Sequence, residues 1–266
     1  MSRFYTHDRI SVKLDLRKNS PFVTQSIPIK SMVTMIPKKL HFTYKTDDLP
    51  RIYKENLKRW QAYCPDWEML LHTDRKVHKF FERHFPQYAP DIKNIRHGVV
   101  LADLFRYGVL YIHGGMYNDI DTIPLNPIPD AWLALESVIG YEYQPSKFEC
   151  CPVPSYSTDT LCQWSLLASP KHSLFKEALE KCMENLREKN FELKHERDIL
   201  TATGPLLFTE IANKYLDTPE VLFLDMDVFA PTYLKTPNLS NCIVFHQFHG
   251  KSGWKLEFQC PQIKLL

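Results

Sequence analysis

Two carboxylates one residue apart, Asp119 and Asp121, stand near the end of the stretch ADLFRYGVLYIHGGMYNDIDTIPLNP, which runs from Ala102 to Pro127. Side by side they repel each other, and burying them costs desolvation energy, so a chain that does so supplies a cation. Hard carboxylate oxygens suit Mn²⁺ or Mg²⁺ better than zinc. Upstream, Asp103 and Arg106 are spaced to share one helix face and to form an ion pair. The chemistry on offer is a divalent metal site next to a fixed positive charge.

These residues need positioning elements. The spacing predicts an amphipathic helix from Ile95 to Ile112, a stop at Gly114-Gly115, and a short strand. Strand alternation would set Tyr117, Asp119 and Asp121 on one face and Met116, Asn118 and Ile120 on the other. Gly108 costs a helix about 1 kcal/mol relative to Ala, which points to close packing there. Before the helix, IPKKLHFTYKTD (36–47) reads as a first core strand and loop. Pro50 opens a helix with Ile52, Tyr53, Leu57 and Trp60 on one face. EMLLHTD is a second strand ending at Asp74, followed by a helix from Val77 to His84. After the acids, Pro124, Pro127 and Pro129 exclude a continuing helix or central strand. Ser137 to Tyr143 reads as a strand, 144–158 as a Pro-rich loop, and Leu161 to Ala168 and Ser173 to Glu188 as helices. Gly204-Pro205 marks another helix start, and NCIVFHQFHGKSGW is a strand running into a His-rich loop. Alternating strands and helices indicate an α/β sandwich.

Composition narrows the function classes. With 266 residues, 44% apolar, the chain can bury one substantial core. The expected division is an N-terminal extension over 1–30, where Ile10, Val12, Leu14 and Leu16 alternate as in an edge strand, and a catalytic domain over 31–266. A formal net charge of +2 gives no reason to invoke nucleic acid. No stretch approaches the roughly 20 apolar residues of a membrane helix. The expectation is a soluble, cytoplasmic chain, or a Golgi-type lumenal one if an anchor was removed. The seven cysteines are odd in number and lack a CxxC pair, and are read as free thiols or core residues.

The segments IPKKLHFTYKT, DLPRIYKENLKRW, CPDWEMLLHTD, ADLFRYGVLYIHGGMYNDIDTIPL, ATGP and FHQFHGKSGW occur in this order. The series resembles the DXD-containing sugar transferases of glycosyltransferase family 32, which includes yeast-type α-mannosyltransferases and inositol-phosphoceramide mannosyltransferases, and it is distantly similar to large clostridial glucosylating toxins. The resemblance spans Met35 to Trp254. It implies a GT-A fold (a nucleotide-sugar-binding Rossmann-like α/β sandwich with a central mixed sheet) and a metal-dependent retaining hexosyltransferase. The donor would be GDP-mannose or a UDP-hexose. The acceptor would be a hydroxyl on a glycan, glycolipid or protein, which is compatible with peripheral membrane association. By the same resemblance, Asp103 and Arg106 contact ribose and donor sugar, Asp119 holds ribose, sugar and a metal-bound water, and Asp121 ligates Mn²⁺ or Mg²⁺. His249 and Ser252 complete the metal set, and Trp254 reaches the β-phosphate. Tyr117 lines the donor side, and His246 is kept as structural.

The sequence departs from the family pattern in two places. Where the family has a tryptophan for base stacking, this chain has Tyr44, with Phe42 two positions earlier. Asn118 replaces the usual leucine. His41, Gln163 and Thr203 are weaker acceptor-side or donor-side candidates. Two alternative readings stand beside this one. LFLDMDVF resembles the nucleophile strand of haloacid-dehalogenase-type phosphatases, with Asp225 attacking. After Asp227, however, there is no Asp and only Glu257, so the magnesium-binding acids are missing and a strand end with two exposed acids is the plainer account. The other alternative is a catalytically silent nucleotide-sugar-binding module.

Overall fold

The computed structural model describes residues 35–249. The N-terminal extension, Ser252 and Trp254 lie outside the described residues. The order is β1 (Lys39–Tyr44), α1 (Arg51–Tyr63), β2 (Glu68–Thr73), α2 (Asp74–His84), α3 (Ala89–Ile92), α4 (Gly98–His113), β3 (Gly115–Asn118), β4 (Thr122–Pro124), α5 (Asp130–Leu133) and β5 (Ser137–Tyr143). Then follow β6 (Thr160–Ala168), α6 (Ser173–Glu188), α7 (Glu196–Ala202), α8 (Pro205–Ala212), β7 (Val221–Leu224), α9 (Met226–Phe229) and β8 (Val244–His246).

Six strands form one mixed sheet in the order β2-β1-β3-β6-β5-β7, and β4 and β8 form a two-stranded sheet. β1 runs parallel to β2 and β3, β5 runs parallel to β7, and β6 is antiparallel to both of its neighbours. The segment expected as a helix from Leu161 to Ala168 is therefore the central strand β6. Every residue of β6 is buried. A strand buried on both faces reads as an apolar run without alternation, and periodicity cannot tell such a run from a buried helix.

Apolar residues of α2, α4, α6 and α8 build one core cluster. On the other side of the sheet, Trp60 of α1 and Phe229 of α9 pack with Phe42, Met116 and Trp164. Ile52 does not join the buried face of α1; it is 42% exposed, while Asn56 and Trp60 are buried. Gly108 faces Phe80 and Phe85, and a Cβ there would come within 3.0 Å of the Phe80 ring. The expected close packing is present.

The Gly-Gly stop works as the sequence suggests. Gly114 (φ 62°) ends α4 and Gly115 (φ 100°) opens β3. A side chain at Gly114 would meet Pro170, and one at Gly115 would meet the Lys39 carbonyl, so both the backbone angle and the space require glycine. The cysteines are read above as free thiols or core residues; Cys151 is buried but disulfide-bonded, which corrects that reading there, while Cys64, Cys150, Cys162, Cys182 and Cys242 are free. Among the described residues, no helix is long and apolar enough to cross a membrane.

Candidate active site

The aspartate pair sits in a turn, not on the strand. β3 ends at Asn118. The Asp119 N–H still bonds Trp164 of β6 (2.9 Å), and the Asp119 carbonyl then accepts from Thr122 N–H (3.1 Å) and from Thr122 Oγ1 (2.7 Å). Strand alternation therefore does not orient the acids. The turn is pinned from three sides instead. Asn56 Nδ2 donates to the Ile120 carbonyl (3.2 Å) and to Gln247 Oε1 (2.8 Å). Trp60 Nε1 donates to the Thr122 carbonyl (3.1 Å). Gln247 N–H donates to the Asp121 carbonyl (2.9 Å).

β4 pairs with β8 so that Thr122 faces His246. That register brings the His246 imidazole to the acids, with Nε2 3.1 Å from Asp121 Oδ1 and 3.8 Å from Asp119 Oδ2. The ring lies flat on Trp164 (centroids 4.7 Å, interplanar 13°), and its Nδ1 is buried with no hydrogen-bond partner among the described residues. His246, kept as structural in the sequence reading, is the imidazole beside the aspartates. His249 reaches them through its backbone: its N–H donates to Asp121 Oδ2 (2.8 Å), while its ring lies near Tyr53 (centroids 6.0 Å). No sequence signal separates the two histidines, because the β4–β8 register selects between them.

Arg106 sits behind this group. Its guanidinium bridges Asp103 Oδ1 (3.1 Å) and Asp119 Oδ1 (3.2 Å) and lies 5.0 Å from the centre of the Tyr117 ring. Tyr117 O–H donates to the same Asp119 oxygen (2.9 Å), and Thr203 O–H donates to Asp103 Oδ2 (2.7 Å). Asp103 is only 2% exposed, so in this structure it holds Arg106 and does not face solvent. Burial pushes its carboxyl up to about 6, against the opposing pull of Arg106 and Thr203. Burial also opposes the Arg106 charge, but Asp119, Tyr117 and Asp103 together hold its pKa well above the usual arginine value. Arg106 is thus a permanent cation.

The other candidates divide clearly. Tyr44 is half-buried and meets Tyr53 edge to face (centroids 5.4 Å), so an aromatic pair missed in the sequence stands next to His249. Phe42 is 1% exposed and packs on Trp60; it is a core residue and does not present a ring to a ligand. His41, Gln163 and Thr203 are buried. His41 contacts His72 (3.2 Å) and the Gly114 carbonyl (3.0 Å), and burial lowers its pKa to about 3. Gln163 bonds Tyr107 and the Thr203 carbonyl. Asn118 points away from the acids, and its Oδ1 accepts from Ser165 (2.8 Å). Asp225 precedes α9 and is ion-paired with Lys147, while Asp227 accepts from Asn241 (2.9 Å).

One oxygen each from Asp119 and Asp121 and one His246 nitrogen lie within 4.8 Å of one another. Arg106 and Tyr117 occupy Asp119 Oδ1, leaving Oδ2 on the His246 side. Three carboxylates against one guanidinium leave an excess of negative charge. This donor set fits a hard to borderline divalent cation.

Residues 50–139, which include α4, β3 and the aspartate turn, match the model of the glycosyltransferase sugar-binding region containing DXD motif. The chain is 25% identical over 264 residues to a mannosyl phosphorylinositol ceramide synthase of Saccharomyces cerevisiae (96% of this chain, 61% of the relative). It is 28% identical to an initiation-specific alpha-1,6-mannosyltransferase of Candida albicans (70% of this chain, 55% of the relative). It is also 28% identical to inositol phosphoceramide mannosyltransferase 1 of Schizosaccharomyces pombe (69% and 53%). It therefore spans between about half and three-fifths of these relatives' length. Among solved structures, the UDP-bound glycosyltransferase domain from the YGT toxin aligns with a TM-score of 0.50 and 9% identity, over 71% of this chain and 80% of that one. That is a likeness of fold, and the fold is the GT-A type that the resemblance implied.

Proposed function

We propose, from the premise that residues 50–139 are a DXD-containing glycosyltransferase sugar-binding region, that the protein is a metal-dependent retaining hexosyltransferase. Its donor is a nucleotide sugar, with GDP-mannose favoured over a UDP-hexose because the relatives' names specify mannose. Its acceptor is a hydroxyl on a glycan or glycolipid. The observation that carries this reading is the convergence of Asp119, Asp121 and His246 beside Arg106.

In this reading Asp119, Asp121 and His246 would hold Mn²⁺ or Mg²⁺, and Ser252 would join them by resemblance. When bound, the metal neutralises charge that builds on the departing nucleoside diphosphate. Arg106 and Tyr117 fix the Asp119 rotamer, so that one oxygen stays aimed at the cation site, and Arg106 adds a positive charge near the donor sugar. Asp103 and Thr203 hold Arg106 in place. Tyr44 and Tyr53 offer aromatic surface to the base, and Trp254, by resemblance, donates its indole N–H to the β-phosphate. Among the described residues, the three carboxylates of this group, Asp103, Asp119 and Asp121, each have a structural or metal-holding duty, so none of the three is available as a glycosyl nucleophile. Front-face attack follows, with the leaving phosphate oxygen accepting the acceptor's proton. Retention itself comes from the family resemblance.

Hydrolysis of GDP-mannose, UDP-glucose, UDP-galactose and UDP-N-acetylglucosamine with Mn²⁺ tests the reading. The expected result is one donor, GDP-mannose, cleaved well above the rest, with cleavage lost in Asp121→Ala. Cleavage of that donor at an unchanged rate by Asp121→Ala would overturn the metal assignment. The phosphatase alternative gains no support, because Asp225 is taken up by Lys147.

A further inference from the structure

A second acid–histidine group lies at the far end of the sheet from the aspartate turn. Glu136 and Glu220 directly precede β5 and β7, which run in parallel with Ser137 opposite Val221, so the two glutamates are neighbours. Their backbones are fixed: Ser137 N–H bonds the Glu220 carbonyl (3.1 Å), and Ser169 N–H bonds the Glu136 carbonyl (2.7 Å). His172, which caps the N-terminus of α6, is the third member. One ring nitrogen of His172 and one carboxylate oxygen from each glutamate lie within 4.8 Å of one another.

His172 points to a ligand. It is 4% exposed, and its Nε2 is fully buried with no hydrogen-bond partner. Nδ1 is already engaged, accepting from Leu174 N–H at 3.3 Å. Glu220 also turns its backbone carbonyl toward the ring, without hydrogen-bond geometry to Nε2. Neither glutamate side chain makes an ion pair or hydrogen bond among the described residues. A buried polar nitrogen left unpaired is destabilising, and two adjacent unpaired carboxylates repel each other. A single divalent cation would remove both penalties.

We propose that Glu136, His172 and Glu220 form a second divalent-metal site, separate from the proposed catalytic one. One imidazole and two carboxylates, with water completing the shell, suit Zn²⁺ and its first-row neighbours better than Mg²⁺ or Ca²⁺. Binding through Nε2 moves the neutral ring's proton to Nδ1 and releases the long contact from Leu174 N–H. The ion would tie the starts of β5 and β7 to the start of α6, a structural duty far from the chemistry.

The test is equilibrium dialysis of the full chain against Zn²⁺, on wild type, Asp121→Asn, Glu220→Gln, Glu136→Gln and the Asp121→Asn/Glu220→Gln double variant. Asp121→Asn weakens the catalytic site, so the zinc it retains reports on the second one. The expected result is that Glu220→Gln and Glu136→Gln each lose one zinc equivalent relative to wild type, and that the double variant loses one relative to Asp121→Asn. Zn²⁺ should also raise the melting temperature of Asp121→Asn but not of the double variant. If Glu220→Gln and Glu136→Gln bind as much zinc as wild type with the same affinity, the second site does not exist. Glu136 is exposed and Glu220 half-exposed, so either variant can report if the other folds poorly.

Discussion

The two acid–histidine groups sit at opposite ends of one sheet and balance their charge in different ways. β6 links them: Ser165 lies opposite Asn118, just before the aspartate turn, while Ala168 lies opposite Ser137, just after Glu136. At the first end, Arg106 is a cation built into the protein, buried between Asp103 and Asp119. Side chains from α1, α4 and α7–α8 and the backbone after β8 hold each acid or its partner in one orientation. At the second end no arginine or lysine among the described residues pairs with the glutamates, and one of them is exposed. The difference separates a preorganised site, which can stabilise charge as it develops, from a site that only an added ion would order.

Removing the built-in cation should give the largest effect. Arg106→Leu takes the cation from the buried Asp103 and the half-buried Asp119, leaving them the Thr203 and Tyr117 hydroxyls, and should cost about 3–5 kcal/mol in stability, measured by urea unfolding. Loss of less than about 1 kcal/mol would show that the two acids do not depend on Arg106. Breaking one of the pins should cost less. Asn56→Ala strips the donor from the Ile120 carbonyl and Gln247 and should destabilise by about 1–3 kcal/mol, with a drop in donor hydrolysis. Unchanged hydrolysis would mean that the turn holds its shape without Asn56.

Acidity sharpens the same contrast. Asp103 has its carboxyl raised to about 6, above the roughly 3.9 expected in the unfolded chain. The folded state therefore favours its protonated form, and the stability this supplies at low pH is lost as pH rises through about 6. Activity runs the other way, because only ionised Asp103 fully holds Arg106. Donor hydrolysis should fall as pH drops below about 6, and a flat profile between about pH 5 and 7 would contradict this role. His41 and His72, lowered to about 3 and about 4 chiefly by burial, affect stability with the opposite sign. They stay neutral in the fold but take up protons in the unfolded chain below about pH 6.5, so they cost stability as pH falls. An activity profile is thus the cleaner measurement. At the other end of the sheet, Glu220→Gln without added metal should change stability by no more than about 0.5 kcal/mol and leave donor hydrolysis unchanged.

The contrast also shows what a sequence can reveal. α4, the glycine stop and the Asp-x-x-Arg pair were legible because each rests on neighbours within a few positions. The identity of the acid pair was legible, but its geometry was not, because the chain leaves β3 at Asn118 to pair with β8, more than a hundred residues later. The same distant pairing places the ring of His246, and not that of His249, against the carboxylates. Phe42 and Tyr44 share a strand face, yet Trp60 covers only the first; that cover comes from the docking of α1. β6 was misread because both of its faces are buried. The Glu136–His172–Glu220 group joins three separate segments and has no motif at all.

The most direct test of the proposed metal centre is a Mn²⁺ titration of donor hydrolysis in wild type, His246→Ala and His249→Ala. If His246 Nε2 completes the Asp119–Asp121 site, His246→Ala should need at least about tenfold more Mn²⁺ for half-maximal rate. His249→Ala, which keeps the backbone N–H on Asp121, should stay close to wild type. A His246→Ala enzyme with unchanged Mn²⁺ dependence, or a larger shift in His249→Ala, would contradict this metal centre.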